Sequence, residues 1–178
     1  IYTADHGMAF PGGKTTVYEA GLRVPFIVRH PEAKKRGVVN NAMISHVDIT
    51  PSILDLAKAY DPEKRAPLKL IGVAKVPSGE NGGHPAKAYH GRSWVPILEE
   101  ASPKGWNEIG ASHTFHEIQM YYPMRVVRDR KYKLIWNIAW RQPYPFASDL
   151  WRASTWQAQF AKGAEAPYGK RTVDAYIN

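Results

Sequence analysis

At 178 residues, 44% hydrophobic and 22% charged, the chain has an ordinary globular composition, large enough for one core or for a core with a small appended subdomain. No apolar run reaches bilayer-spanning length, and the lack of any cysteine excludes disulfides, thiolate metal sites and a Cys nucleophile within it. A formal net charge of +8 and an isoelectric point near 9.6 favour an anionic partner, with sulfated sugars, phosphates and nucleic acid all qualifying.

The sequence opens on Ile1-Tyr2-Thr3-Ala4 with no initiator Met, basic stretch or signal-peptide apolar region, and it reads as a piece of a longer chain. That opening is a short β-prone run ending in Asp5-His6-Gly7, where a strand hands polar side chains to the end of a sheet. Phe10-Pro11-Gly12-Gly13 forms a turn ahead of Lys14, and residues 24–29 read as a second, mostly buried strand with Pro25 near its start. The short basic runs Lys34-Lys35-Arg36 and Arg128-Asp129-Arg130-Lys131 read as solvated turns. Thr50-Pro51 predicts a helix start, a hydroxyl N-cap followed by proline at the first helical position. The helix should run to about residue 60 and pack on a sheet through Ile53, Leu54, Ala57 and Tyr60. Residues 61–90, rich in Pro, Gly and Lys, read as a long surface loop, and the pattern turns β-rich near residue 100, where a boundary is expected. Residues 124–128 and 131–138 flank a charged turn at Asp129-Arg130, which predicts an antiparallel hairpin. The aromatics that follow, Trp136, Trp140, Tyr144, Phe146, Trp151 and Trp156, are expected to serve packing rather than sugar stacking.

The chemistry concentrates at the beginning. Asp5 is a hard oxygen donor and His6 a nitrogen donor, so the pair suits part of a metal site; a bare Asp-His-Gly more often makes a turn with a capping carboxylate. Lys14, behind two glycines that let the backbone bend, brings an ammonium back toward the same strand end, and a cation beside a metal suits a tetrahedral oxyanion.

Asp5-His6-Gly7, Gly13-Lys14, Tyr18-Glu19-Ala20-Gly21 and Arg23-Val24-Pro25 together resemble the metal and lysine motif of the sulfatase family, within the alkaline-phosphatase-like superfamily. Ser45-His46-Val47-Asp48-Ile49-Thr50-Pro51 and the residues to Ala57 are similar to the strand and helix that follow in that family. Gly91-Arg92-Ser93-Trp94-Val95-Pro96, His116-Glu117, Met120-Tyr121-Tyr122-Pro123-Met124-Arg125 and Tyr132-Lys133-Leu134-Ile135 resemble its heparan N-sulfatase branch, although that branch tends to have Asn and Arg at the positions of His6 and Lys14. The likeness runs from Thr3 to about Trp156 and is weakest over residues 61–90.

The resemblance implies an α/β fold. Residues 1–100 would be the C-terminal part of a sulfatase-type mixed α/β/α sheet domain, and residues 101–178 most of a small antiparallel C-terminal subdomain. It implies one divalent ion, normally calcium, bound by Asp5 and His6, with Lys14 as a catalytic, sulfate-contacting residue. It also implies a formylglycine nucleophile, whose Cys-x-Pro-x-Arg type motif this sequence lacks, so the polypeptide by itself is expected to be inactive. The implied partner is a sulfated sugar or glycosaminoglycan rather than nucleic acid or a membrane, and the compartment periplasmic, extracellular or lysosomal. His116 and Glu117 are candidates for binding the sugar, with an interface role the equal alternative; His113 is the weaker candidate. Asp48 reads as a capping or turn residue and His46 as structural, while Arg92 and Arg125 suit substrate carboxylates or, more commonly, neighbouring acids. Two rivals stand beside the sulfatase reading. One is a phosphodiesterase or phosphonate hydrolase of the same superfamily, the other a non-enzymatic module for anionic polysaccharide.

Overall fold

The structure is a computed structural model and describes residues 1–64, 66–67, 89–117 and 120–177. Most of the expected surface loop over 61–90 lies outside the described residues. In chain order the elements are β1 (Tyr2–Thr3), α1 (Glu19–Leu22), β2 (Phe26–Ile27), α2 (Ile49–Leu56), β3 (Tyr60–Asp61), β4 (Ala66–Pro67), β5 (Glu108–His116), β6 (Met120–Asp129), β7 (Lys133–Asn137), α3 (Ser148–Trp151), α4 (Ser154–Phe160), β8 (Pro167–Tyr168) and β9 (Arg171–Thr172). Short 3₁₀ turns occur at His46–Asp48, Val95–Ile97 and Asp174–Tyr176. The chain is thus a mixture of helix and strand with small antiparallel sheets. It forms two compact units, Ile1–His30 with Gly110–Asn178, and Pro31–Ile109.

In the first unit β1 pairs antiparallel with β2, Tyr2 opposite Ile27 and Thr3 opposite Phe26, so the strand expected over 24–29 is reduced to its centre, and it is half-buried to exposed rather than mostly buried. The larger sheet has the order β5-β6-β7. β6 alternates strictly enough to build a core: Met120, Tyr122, Met124 and Val126 are buried, while Tyr121 and Val127 face outward. Val17 closes over Tyr122, Met124 and Val126 from the turn that follows Lys14. The β6-β7 hairpin is the predicted one, with Arg128 opposite Lys133, and the Asp129 carboxylate accepts the N–H groups of Lys131 and Tyr132 at 2.7 and 2.5 Å to close it. The strand β5 adds a third member that the sequence pattern did not predict.

The aromatic crowd divides. Trp156 is fully buried among Phe146, Phe160, Tyr168 and Tyr176, with ring centroids 4.9 to 6.3 Å away, and is the packing element expected. Trp136 and Trp140 are instead about two-thirds exposed, so packing is not their role within this unit.

In the second unit α2 begins one residue before the expected N-cap. A capping box opens the 3₁₀ turn ahead of it, in which Asp48 Oδ2 accepts the Ser45 N–H at 2.8 Å. Thr50 therefore lies inside the helix, and Pro51 still falls in the first turn, where its missing N–H costs nothing. The helix ends at Leu56 rather than near residue 60, because Lys58 turns into the left-handed region at φ +55°. Its buried side is also not the one expected: Pro51 and Ser52 are buried and Ile53 is half exposed.

The partner of that buried side is the segment after Gly91. Ser52 Oγ donates to the Asp48 carbonyl at 2.6 Å and accepts the Trp94 N–H at 3.0 Å; Asp48 Oδ1 accepts the Arg92 N–H at 2.9 Å, and Ser93 Oγ donates to Asp55 at 2.5 Å. Asp48 is the capping residue expected of it. Arg92 does not take an acid in these contacts: its guanidinium lies 3.6 Å from the Trp106 ring centre and donates to the Gly105 carbonyl. Arg125 likewise donates to the Thr114 hydroxyl and the Met124 carbonyl, at 3.4 and 3.3 Å.

Candidate functional site

The segment from Asp5 to Arg23 is held by backbone approaching backbone. The Gly7 N–H donates to the Gly21 carbonyl at 3.0 Å, and a Cβ on Gly7 would lie 1.6 Å from the Ala20 carbonyl oxygen. A Cβ on Gly21 would lie 2.4 Å from the Gly13 carbonyl and 2.5 Å from that of Thr16. Asp5-His6-Gly7, Gly13-Lys14 and Tyr18-Glu19-Ala20-Gly21 therefore occur together because each glycine lets the next piece of chain come close. Gly12, at φ +79°, makes the turn ahead of Lys14.

Asp5 and His6 lie just past the end of β1 with their polar atoms facing each other. His6 Nδ1 lies 2.7 Å from the Gly7 carbonyl, an acceptor only, so Nδ1 carries a proton and Nε2 is turned toward Asp5. That Nε2 is 3.5 Å from Asp5 Oδ2, while Asp5 Oδ1 accepts the His6 N–H at 3.0 Å. Two lone-pair donors at that separation repel unless a cation, a proton or a metal ion, lies between them. The Asp5 side chain is 87% exposed and that of His6 40%. This donor set fits two positions in the shell of a divalent ion. Among the described residues no group of three or more His, Asp or Glu side chains comes together, so the pair is a corner and not a cage.

Beside it lies an open cleft of about 430 Å³ lined by His6, Gly7, Met8, Phe10, Gly13, Arg23 and their neighbours. His6 lines this cleft; neither Asp5 nor Lys14 is among its lining residues. The Lys14 ammonium is 2.5 Å from Asp149 Oδ2, at the first turn of α3, and its side chain is only 16% exposed. The hydrogen bond and charge of Lys14 hold the Asp149 carboxyl below its usual range. Asp149 is 44% exposed, so the pair is screened and worth about 1 kcal/mol at most.

Thr15, next to Lys14, sits at φ +67°, a costly conformation for a β-branched residue, of order 1–3 kcal/mol. Tyr144 offsets it. The Tyr144 hydroxyl donates to the Thr15 carbonyl at 2.9 Å and meets the Thr15 hydroxyl at 2.9 Å, and burial pushes its own pKa up to about 12. Glu19, from the motif before α1, takes Lys133 and Arg128, each at 3.0 Å; burial raises its pKa, but the Lys133 hydrogen bond with the charges of Lys133, Arg128 and Arg23 holds it lower overall. The sequence marks Tyr144 only as a packing aromatic and does not mark Asp149 at all, since they reach Thr15 and Lys14 across 129 and 135 residues of chain.

His116 is the last residue of β5 and Glu117 follows it at φ +55°, with His116 Nε2 and Glu117 Oε1 3.8 Å apart and both side chains more than a third exposed. Glu117 also accepts the Ser148 hydroxyl at 2.9 Å and the Ser148 N–H at 3.3 Å, which ties it to the start of α3. His113 hydrogen-bonds elsewhere, although the charge of His116 reaches it. Its Nδ1 lies 3.3 Å from the Tyr122 carbonyl, its buried Nε2 has no hydrogen-bond partner among the described residues, and burial lowers its pKa.

Residues 1–59 match the family model described as Sulfatase. With the relatives that follow, this match identifies the chain as belonging to the sulfatase family. It is 35% identical over 160 residues to the human N-sulphoglucosamine sulphohydrolase, covering 88% of this chain and 28% of that protein. It is 30% identical to the ulvan-active sulfatase of Formosa agariphila, over 77% of this chain and 22% of the relative. The N-acetylgalactosamine-6-O-sulfatase of Bacteroides thetaiotaomicron is 47% identical over 58 residues, 33% of this chain and 11% of the relative. The chain thus spans about a quarter of the length of the first two relatives.

Proposed function

We propose that this chain is the metal- and oxyanion-binding part of a hydrolase that removes sulfate ester or N-sulfate groups from a glycosaminoglycan-type sugar. The observation that carries the reading is the Asp5–His6 pair, whose imidazole Nε2 and carboxylate Oδ2 face each other 3.5 Å apart, with the ring held by the Gly7 carbonyl. Asp5 and His6 would hold one divalent ion, calcium by family likeness, which when bound polarises a sulfate oxygen as a Lewis acid. Lys14 supplies fixed positive charge for the sulfuryl oxygens, where charge builds in the transition state. His116 and Glu117 bind the sugar, supported by their exposure and by imidazole and carboxylate groups that suit hydroxyl and amine hydrogen bonds. The nucleophile, a formylglycine by the same likeness, comes from residues outside these 178.

In the whole protein, residues 1–100 belong to the large α/β sheet domain and residues 101–178 to the small C-terminal subdomain. The half-exposed Ile53 supports this, because the apolar side of α2 would meet that larger sheet. The substrate chemistry suggests work in a periplasmic, extracellular or lysosomal compartment, where sulfated polysaccharides are met. Among the described residues no helix is long and apolar enough to cross a membrane.

The test uses the full-length protein, stripped of metal and titrated with calcium by calorimetry, beside hydrolysis of N-sulfoglucosamine and of a chromogenic aryl sulfate. Asp5→Ala should weaken calcium binding by about ten-fold or more and remove both activities. Calcium affinity unchanged in Asp5→Ala would refute the metal assignment. Hydrolysis of a phosphodiester in preference to both sulfated substrates would replace sulfate by phosphate in the reading.

A further inference from the structure

We propose that Asp149 and Tyr144 are positioning residues for Lys14, clamping the turn that carries it so that the ammonium is held in one place. The inference rests on the reading of Lys14 given above and adds to it how the lysine is aimed. A lysine on a flexible four-carbon stem is a poor electrostatic catalyst unless something fixes it, because ordering it in the transition state takes back part of the attraction. Here two residues of one segment act on it, Asp149 by direct contact and Tyr144 through the adjoining Thr15. Asp149 Oδ2 accepts one ammonium N–H at 2.5 Å, and Asp149 Oδ1 accepts the N–H of Leu150 at 2.9 Å, which holds the carboxylate against its own helix. Tyr144 holds the neighbouring Thr15 in its left-handed conformation through the carbonyl and the hydroxyl, both at 2.9 Å.

The clamp is anchored. The Leu150 side chain is fully buried against Met120 and Ala147, and the Tyr144 ring packs edge-on to Tyr122 and Phe146 at 5.2 and 5.4 Å. The Tyr144 N–H donates to the Ile177 carbonyl at 2.8 Å, and Ser148, beside Asp149, is held by the Glu117 carboxylate. Lys14 itself is mostly covered, so its ammonium has few other places to go. Asp149 and Tyr144 thus act on adjoining residues of the one turn.

The experiment is a double-mutant cycle in the full-length protein, read as kcat and KM on an aryl sulfate with calcium affinity alongside. Asp149→Ala and Tyr144→Phe should each lower kcat about ten-fold with little change in KM or calcium affinity, and Asp149→Asn, which keeps an acceptor, should lose only about three-fold. In a Lys14→Ala background, itself down about a hundred-fold, neither change should cost anything further. Losses that multiply with that of Lys14→Ala, or a fully active Asp149→Ala beside an inactive Lys14→Ala, would overturn the clamp while leaving Lys14 in the site. A fully active Lys14→Ala would overturn the underlying reading and the clamp with it. Should Asp149→Ala fail to fold, the same cycle with Asp149→Asn and Tyr144→Phe decides the matter.

Discussion

Replacing Gly7 by alanine tests whether the Asp5-His6 corner depends on backbone contact. The new Cβ would lie 1.6 Å from the Ala20 carbonyl oxygen, where ordinary contact begins at 3.4 Å, and the obstacle is main chain, which cannot rotate aside. Relief needs a backbone shift of about 2 Å between the two motifs, and that breaks the Gly7 N–H bond to Gly21. The lost hydrogen bond costs about 1 kcal/mol and the overpacking about 1–3 kcal/mol, so Gly7→Ala should destabilise the full-length protein by about 2–4 kcal/mol. Because Gly7 also orients the His6 ring through its carbonyl, calcium affinity should fall together with stability. The assay is urea unfolding with and without calcium, against Gly110→Ala as control. At Gly110 an added Cβ meets only the Val126 carbonyl, at 3.8 Å, and the change should stay within about 0.5 kcal/mol. Equal unfolding midpoints for the two variants would refute the interlocking of the two motifs.

Ser52→Ala removes the acceptor of the Trp94 N–H and the donor to the Asp48 carbonyl at a fully buried position, so the urea midpoint should drop by the equivalent of about 1–3 kcal/mol. Burial depresses the His113 pKa below its ordinary 6.5, so the unfolded chain takes up the proton first and this contribution to stability, complete above that value, is lost as pH falls through the lower folded pKa. His113→Phe should accordingly flatten the loss of stability as pH falls below the ordinary histidine value of 6.5, as read by denaturant titration at each pH. Glu117→Gln should cut hydrolysis of the sugar about ten-fold to a hundred-fold while sparing a small aryl sulfate. An equal loss on both substrates would assign Glu117 to holding Ser148 alone.

What the sequence by itself determined is local. Asp5 and His6 are adjacent, the glycines mark where the chain must turn or approach itself, and the β6-β7 hairpin follows from β-prone runs around Asp129-Arg130; each depends on residues a few positions apart. The membership of residues 1–59 in a family was legible for the same reason, since close backbone approach admits only glycine at positions such as Gly7 and Gly21. Tertiary structure alone decided which partners the side chains take. Periodicity marks Ile53 as apolar on a helix, yet α2 docks through Ser52 onto Trp94, because buried polar groups must be satisfied wherever the chain brings a complement. The same holds for the aromatics, of which Trp156 is buried and Trp136 is not, and for Arg92, which takes Trp106 and a carbonyl in place of an acid. Most consequentially, Lys14 meets Asp149, and Thr15 meets Tyr144, across more than 120 residues of chain. No spacing rule reaches that far, because such a contact depends on how whole elements pack and not on the period of any one of them.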